Sequence, residues 1–326
     1  MTSSADTAQP SPVYWASAVL AALTFPLIWV GGLVTSTDAG MAVPDWPSTY
    51  GSNMFLYPWQ TWFFGPWDLF VEHGHRLLGS LVGLVAIAVV IAAWLTDSRN
   101  WVRWGSVGLL LLVIAQGALG GMRVLLDERV LARLHGCVGP LFFTLAIAFV
   151  TLTNPKFAGR HAGDGSPTRF GYSLATLFAA YVQLVIGAHL RHLSWDTSPQ
   201  VFRATVIFHL LVAALVTWLA IGVWRFDHRG GVLLLALVGL QLVLGLGSWV
   251  ARYAWPSFLS DFQFAAQSTV VARSWTGALI RTSHTANGSA ILGAACCATL
   301  CSYRSGYLAS MLRGNLSGRS TAGVIA

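Results

Sequence analysis

Eight long apolar runs, separated by short polar stretches, leave this chain few ways to fold. A hydrocarbon core of roughly 30 Å is crossed by about 20 helical residues, and each run is near that length. The spans are Tyr14 to Val34, Glu72 to Leu95, Trp101 to Gly121, Ala132 to Thr153, Gly171 to Leu190, Arg203 to Trp224, Val232 to Ala251 and Gly277 to Cys301. With 10% of residues charged against 55% hydrophobic, the expected fold class is all-α, a polytopic membrane protein of eight transmembrane helices.

Basic residues set the orientation. With the N-terminus inside, the inner segments carry ten Lys or Arg and the outer ones eight, while the longest outer loop, Thr35 to Val71, has none. The positive-inside rule then puts both termini in the cytoplasm. The formal charge of +7 reflects arginines beside anionic lipid, a membrane partner, and no nucleic acid is expected, since no basic run alternates with stacking aromatics in a soluble segment. The first thirteen residues lack Lys and Arg and include Asp6, which disfavours a presequence or cleaved signal and leaves a bacterial plasma membrane as the expected location.

The chain repeats itself. Gln116 to Gly120, Gln183 to Gly187 and Gln241 to Gly245 each close an odd-numbered span, and Arg123, Arg191 and Arg252 follow. Two related four-helix bundles are expected, residues 1–160 and 161–326. Each even-numbered span begins with a histidine: His75, His135, His209 and His284. An imidazole in hydrocarbon needs a partner, and four at one depth point to metal, in a membrane most readily haem iron. Even spans run parallel, so within each half two imidazoles face one another at one level and can take both axial positions of one iron. His75 with His135 and His209 with His284 are the candidate ligand pairs, with propionates met by Arg123, Arg133, Arg191, Arg252 and Arg281. The alternative is four core histidines bonded to carbonyls.

The remaining histidines do not share this pattern. His161 and His228 fall in inner loops; His189 and His192 flank Arg191, beside a propionate or facing water. His73 lies about 200° around the helix from His75 and reads as a chance neighbour. Cys137, Cys296, Cys297 and Cys301 lack zinc-like spacing and read as small packing residues.

Glu72 precedes His75 by three residues, on the same helical face. Either it serves chemistry beside a haem edge, where a poorly solvated carboxylate acts strongly, or it is a helix N-terminal carboxylate paired with Arg76. The loop before it holds Trp46, Tyr50, Tyr57, Trp59, Trp62, Phe63, Phe64 and Trp67, either a lid over the first half or an interfacial aromatic belt.

Val30-Gly31-Gly32-Leu33-Val34-Thr35-Ser36-Thr37-Asp38-Ala39-Gly40, then Pro44-Asp45-Trp46-Pro47, the Glu72-x-x-His75-Arg76 motif, Gln116 to Arg123 and the four single histidines together resemble the heme A synthase family, across essentially all eight spans. The resemblance implies an enzyme oxidising the C8 methyl of haem O to a formyl, giving haem A for terminal oxidases. It implies a b-type haem cofactor on His209 and His284, with Arg252 and Arg281 nearby. It places substrate haem O between His75 and His135, with Arg76 and Arg123, and makes Glu72 the catalytic carboxylate. A haem O synthase and an unidentified electron donor or acceptor are the implied partners. Some members carry a cysteine pair in the first outer loop; residues 35 to 71 have none, which implies the branch without it.

Two other classes compete. A bis-histidine b-type cytochrome would use the same ligands with no need of Glu72, and usually pairs its haems across the membrane. A haem-free transporter would show broken or charged helices near the midplane.

Overall fold

The computed structural model describes residues 9–159, 167–194, 196–259, 261–266, 269–271 and 273–303. Eight long helices account for most of them: α1 (Pro12–Ser36), α2 (Trp67–Thr96), α3 (Asn100–Leu125), α4 (Arg129–Thr153), α5 (Pro167–Arg191), α6 (Pro199–Phe226), α7 (His228–Tyr253) and α8 (Trp275–Ser302). Each contains one expected span, and no named strand occurs among the described residues, so the fold is all-α. His161, with the inner-segment residues Arg160, Arg304, Arg313 and Arg319, lies outside the described residues.

Local chemistry starts several of these helices. Ser11 accepts the Tyr14 N–H ahead of Pro12, and Ser198 accepts the Val201 N–H ahead of Pro199, so a hydroxyl meets an otherwise unbonded donor and the proline fills the first helical position. Asp227 ends α6 and caps α7, accepting the Gly230 N–H at 3.3 Å and pairing with Arg169 of α5.

Seven of the helices, α1 to α7, are long and apolar enough to cross a membrane, and large side chains such as Leu84, Leu111, Phe178, Leu211 and Val243 point outward, exposed. This is a multi-pass membrane protein. Eight spans are expected by length; α8 has that length, 28 residues, but is less apolar than the other seven. Its polar residues include Thr282, Asn287, Ser289 and Thr299, all buried. A helix enclosed by other helices can carry polar groups that lipid would penalise, and α8 packs against α1, α4, α5 and α7.

Contacts run in two rings. In one, α1 touches α2, α2 touches α3, α3 touches α4 and α4 touches α1; in the other α5, α6, α7 and α8 close in the same order. Each ring has its own apolar core, one around Leu20, Val82, Val89 and Phe142, the other around Val216, Leu219, Leu234 and Leu292. Lipid gives helices little hydrophobic reason to associate, so close packing and hydrogen bonds must hold them. The rings meet where α8 packs on α1 and α4 and where α4 meets α5.

Candidate functional site

Each candidate ligand leans on a glycine of the preceding odd-numbered helix. A Cβ on Gly31 would lie 2.8 Å from Cε1 of His75, on Gly120 3.0 Å from that of His135, on Gly187 3.3 Å from that of His209 and on Gly245 3.2 Å from that of His284. These separations are at or below the tight end of ordinary contact, so bare backbone is what lets the rings sit there. Gln116, Gln183 and Gln241 precede three of these glycines by four residues; in α1 the corresponding residue is Leu27. The runs read as an internal repeat thus end on three of these four glycines, and Leu27 breaks the pattern at Gly31.

In the first ring, His75 and His135 are brought together with ring centroids 6.4 Å apart and planes at 79°. Nδ1 of His135 is 3.1 Å from the Gln116 carbonyl, and the Gln116 amide donates to the His135 carbonyl at 2.7 Å. In the second ring the glutamines face the rings themselves, Gln183 Nε2 at 3.1 Å from His209 Nε2 and Gln241 Nε2 at 3.5 Å from His284 Nε2. Nδ1 of His75, His209 and His284 is buried and makes no hydrogen bond among the described residues.

The loop between α1 and α2 folds onto α2 and α3. Glu72 is 2% exposed; one carboxylate oxygen accepts the Val43 N–H at 2.9 Å and the other accepts from Arg76 at 3.1 Å. Arg76 also donates to the carbonyls of Val43, Asp45 and Ser48 at 2.7, 2.6 and 3.1 Å, so its guanidinium is directed at the loop. Asp45 in turn accepts the N–H groups of Tyr50 and Gly51 at 2.8 Å each. Burial pushes its carboxyl up, but the Gly51 N–H, the Ser48 hydroxyl and the Tyr50 N–H outweigh this and hold it below its ordinary value. Trp46 covers Gly121, where a Cβ would fall 2.2 Å from the indole, and Arg123 donates to the Gly40 carbonyl at 3.2 Å.

His73 is no chance neighbour. Fully buried, it sets Nδ1 3.1 Å from the Thr49 hydroxyl and lies under the rings of Tyr57 and Trp62. Helical angle correctly turned it away from His75, but a wheel carries no information about what a distant loop brings to the other face. Glu72, His73 and Arg76 thus all grip the loop, while Trp59, Phe63 and Phe64 stay exposed on its outside.

Arginines crowd the same ends of the helices. Arg191 donates to the Thr285 hydroxyl at 2.8 Å and, across to α1, to the Gly32 carbonyl at 2.8 Å and the Ser36 hydroxyl at 2.7 Å; Arg281 reaches the Ser36 carbonyl at 3.1 Å. Arg252 lies over Tyr253, and Arg133 contacts Nδ1 of His189 at 3.1 Å, which places His189 against a cation and not simply in water. Ion pairs among the described residues involve Arg76, Arg99, Arg169 and Arg273 only, so Arg123, Arg133, Arg191, Arg252 and Arg281 have no carboxylate partner there. Burial, then Arg191, Arg123, Arg133 and Arg129, push His192 down to about 4. This positive end suits an anionic ligand group such as a carboxylate.

No group of three or more His, Cys, Asp or Glu among the described residues is placed to hold a metal ion. A haem needs only two axial ligands, because the macrocycle supplies the rest. With metal–imidazole bonds of about 2 Å and half a ring on each side, two axial imidazoles would have centroids roughly 6 Å apart, close to the His75–His135 spacing. By that spacing, His75 and His135 fit such a group.

Residues 66–196, from α2 through α5, match the COX15-CtaA model, described as cytochrome oxidase assembly protein. A heme A synthase of Symbiobacterium thermophilum is 29% identical over 259 residues, covering 69% of this chain and 81% of that protein. A heme A synthase of Rhizobium johnstonii is 23% identical over 302 residues, covering 72% and 80%. The chain thus resembles the COX15-CtaA family over residues 66–196. A protoheme IX farnesyltransferase of Halobacterium salinarum is also similar, 30% identical over 187 residues, but this covers 52% of the chain and 37% of that protein. The COX15-CtaA match takes in Glu72, His75, Arg76, Arg123 and His135, and the similarity to the two heme A synthases extends over more of the chain.

Proposed function

We propose that this chain is a heme A synthase, an oxidoreductase acting on haem O, with its two rings of helices holding two haems. The observation that carries the reading is the fourfold cradle, one glycine under one imidazole in each odd–even helix pair, in a chain that resembles this family. His209 and His284 are the ligands of a resident b-type haem in residues 161–326. His75 and His135 bracket the substrate haem in residues 1–160. The resident haem supplies the redox chemistry by which the C8 methyl of haem O becomes a formyl. The protein's part is to orient both macrocycles, bind their propionates and exclude water.

Arg123 in the first half and Arg252 and Arg281 in the second are the propionate partners. Arg76 acts differently, through the loop it clamps above His75 and His135. Glu72, buried beside that clamp, is the carboxylate available to take a proton or to stabilise positive charge on the substrate, since a fixed charge in a dry site acts far more strongly than in water. The partial likeness to a protoheme IX farnesyltransferase fits a place beside an enzyme of haem modification, and a haem O synthase is the proposed partner. Electrons pass to or from a further partner.

Pigment extraction tests the reading. Purified protein should yield haem B together with haem O or haem A; haem B alone would indicate an electron carrier, and no haem would defeat the proposal.

The proposed orientation, in a bacterial plasma membrane with both termini cytoplasmic, puts all four imidazoles toward the outer face. Reporter fusions after Thr153 and Trp224 should read cytoplasmic and fusions between Thr35 and Val71 external. Reversed readings would overturn the depth assigned to both haems.

A further inference from the structure

The loop between α1 and α2 holds one residue, Trp46, from both sides. Arg76 donates to the carbonyls of Val43, Asp45 and Ser48, which flank it, and the Asp45 carboxylate accepts the N–H groups of Tyr50 and Gly51. The chain around Trp46 is thus tied to α2, through the residue that follows His75. Its indole rests instead on α3, where a Cβ on Gly121 would fall 2.2 Å from the ring. Gly121 follows Gly120, the glycine under His135. The indole therefore spans the mouth of the first ring at the end where the histidines lie, beside the support of one candidate ligand and held by the neighbour of the other.

The second ring is built differently at the matching positions. Its cradle glycines, Gly187 and Gly245, are followed by Ala188 and Leu246, which carry side chains where Gly121 has none. Gly32, which follows Gly31, faces Thr282, whose Cγ2 would lie 3.0 Å from a Cβ there. Of the four positions, only Gly121 receives an aromatic ring. The connection from α5 to α6 spans residues 192–198, whereas its counterpart from α1 to α2 spans 37–66. Arg123, two residues beyond Gly121, also holds this loop through the Gly40 carbonyl at 3.2 Å, so one turn of α3 carries both the seat of the indole and a proposed propionate partner. An apolar seat suits a cover over a ligand that must enter and leave, because parting it strands no buried polar group.

We infer that Trp46 is a substrate-binding residue: its indole, seated on Gly121, closes the first ring over haem O and packs against the macrocycle held between His75 and His135. This rests on the proposed role of the first ring as the substrate haem site. A tryptophan brings a large apolar face with few torsions to immobilise, which suits contact with a flat macrocycle. Arg76 then acts through Trp46, since the guanidinium fixes the backbone on either side while the indole meets the ligand.

The experiment titrates haem O, in detergent, into full-length protein produced in cells that make none, with the second-ring haem in place. Trp46→Ala should weaken binding about 10- to 100-fold, as loss of a large apolar contact does, and leave the second-ring spectrum unchanged. Trp46→Phe should keep most of the affinity. Gly121→Ala should act like Trp46→Ala by expelling the indole, although alanine in place of glycine favours a helix. Both substitutions break one contact, so the double variant should bind no more weakly than the worse single one. In turnover the loss should appear in KM with kcat little changed, the mark of a group that binds substrate and transition state alike. Unchanged affinity in Trp46→Ala, additive losses in the double variant, or a fall in kcat at unchanged KM would overturn the inference. Should Trp46→Ala fail to accumulate, Trp46→Leu takes its place under the same criteria. A parent protein whose affinity for haem O survives His75→Ala combined with His135→Ala would instead defeat the underlying reading of the first ring.

Discussion

Glu72→Gln should lower conversion of haem O by on the order of 100-fold or more, as removal of a working acid–base or electrostatic group typically does. The structure gives this substitution a sharper meaning, because the carboxylate also holds the loop through Val43 and Arg76. Glutamine still offers an oxygen to the Val43 N–H, yet it loses a buried ion pair, and breaking such a pair from one side costs about 3–5 kcal/mol. Arg76→Gln separates the two roles. It releases the clamp while leaving the carboxylate, so a similar loss in both variants would mean that Glu72 matters only through the loop. With Glu72→Gln we expect the second-half haem spectrum unchanged and haem O or a hydroxylated intermediate accumulating in cells. Normal haem A production would remove the carboxylate charge from the chemistry.

His209→Ala and His284→Ala should each abolish the six-coordinate low-spin signal of the protein as isolated, since a macrocycle with one axial ligand becomes five-coordinate or is lost. His75→Ala and His135→Ala should leave that signal in place and instead lower the amount of haem O or haem A extracted. The reduced-minus-oxidised spectrum and the haem-to-protein ratio distinguish these outcomes. Full retention of the low-spin spectrum in both second-half variants would falsify the ligand assignment.

Much of the helical frame was legible because lipid imposes a simple rule on sequence: about twenty apolar residues per crossing. That rule is weakest for α8, where Thr282, Asn287 and Ser289 are buried against neighbouring helices and polarity has a different cause from exposure. The histidines were legible because one stands near the start of each even-numbered span. Their supports were legible only in part, since glutamine repeats beside three of the glycines and Leu27 stands beside the fourth. Contacts made across the first loop were out of reach. Nothing in the spacing of His73 and Thr49, or of Arg76 and the carbonyls of Val43, Asp45 and Ser48, announces that a turn of chain will bring them together.

Arg191 belongs to α5, yet two of its three acceptors, Gly32 and Ser36, belong to α1. A guanidinium cannot shed its proton to escape a dry environment, so those acceptors are as much a part of the second ring's stability as its own apolar core. A chain divided between α4 and α5 would deprive this cation of both at once and leave only Thr285 to receive it. The two rings are therefore not independent of one another. Each ring looks like a unit by its contacts, but the second is complete only when the first helix of the other is present to solvate its buried charge.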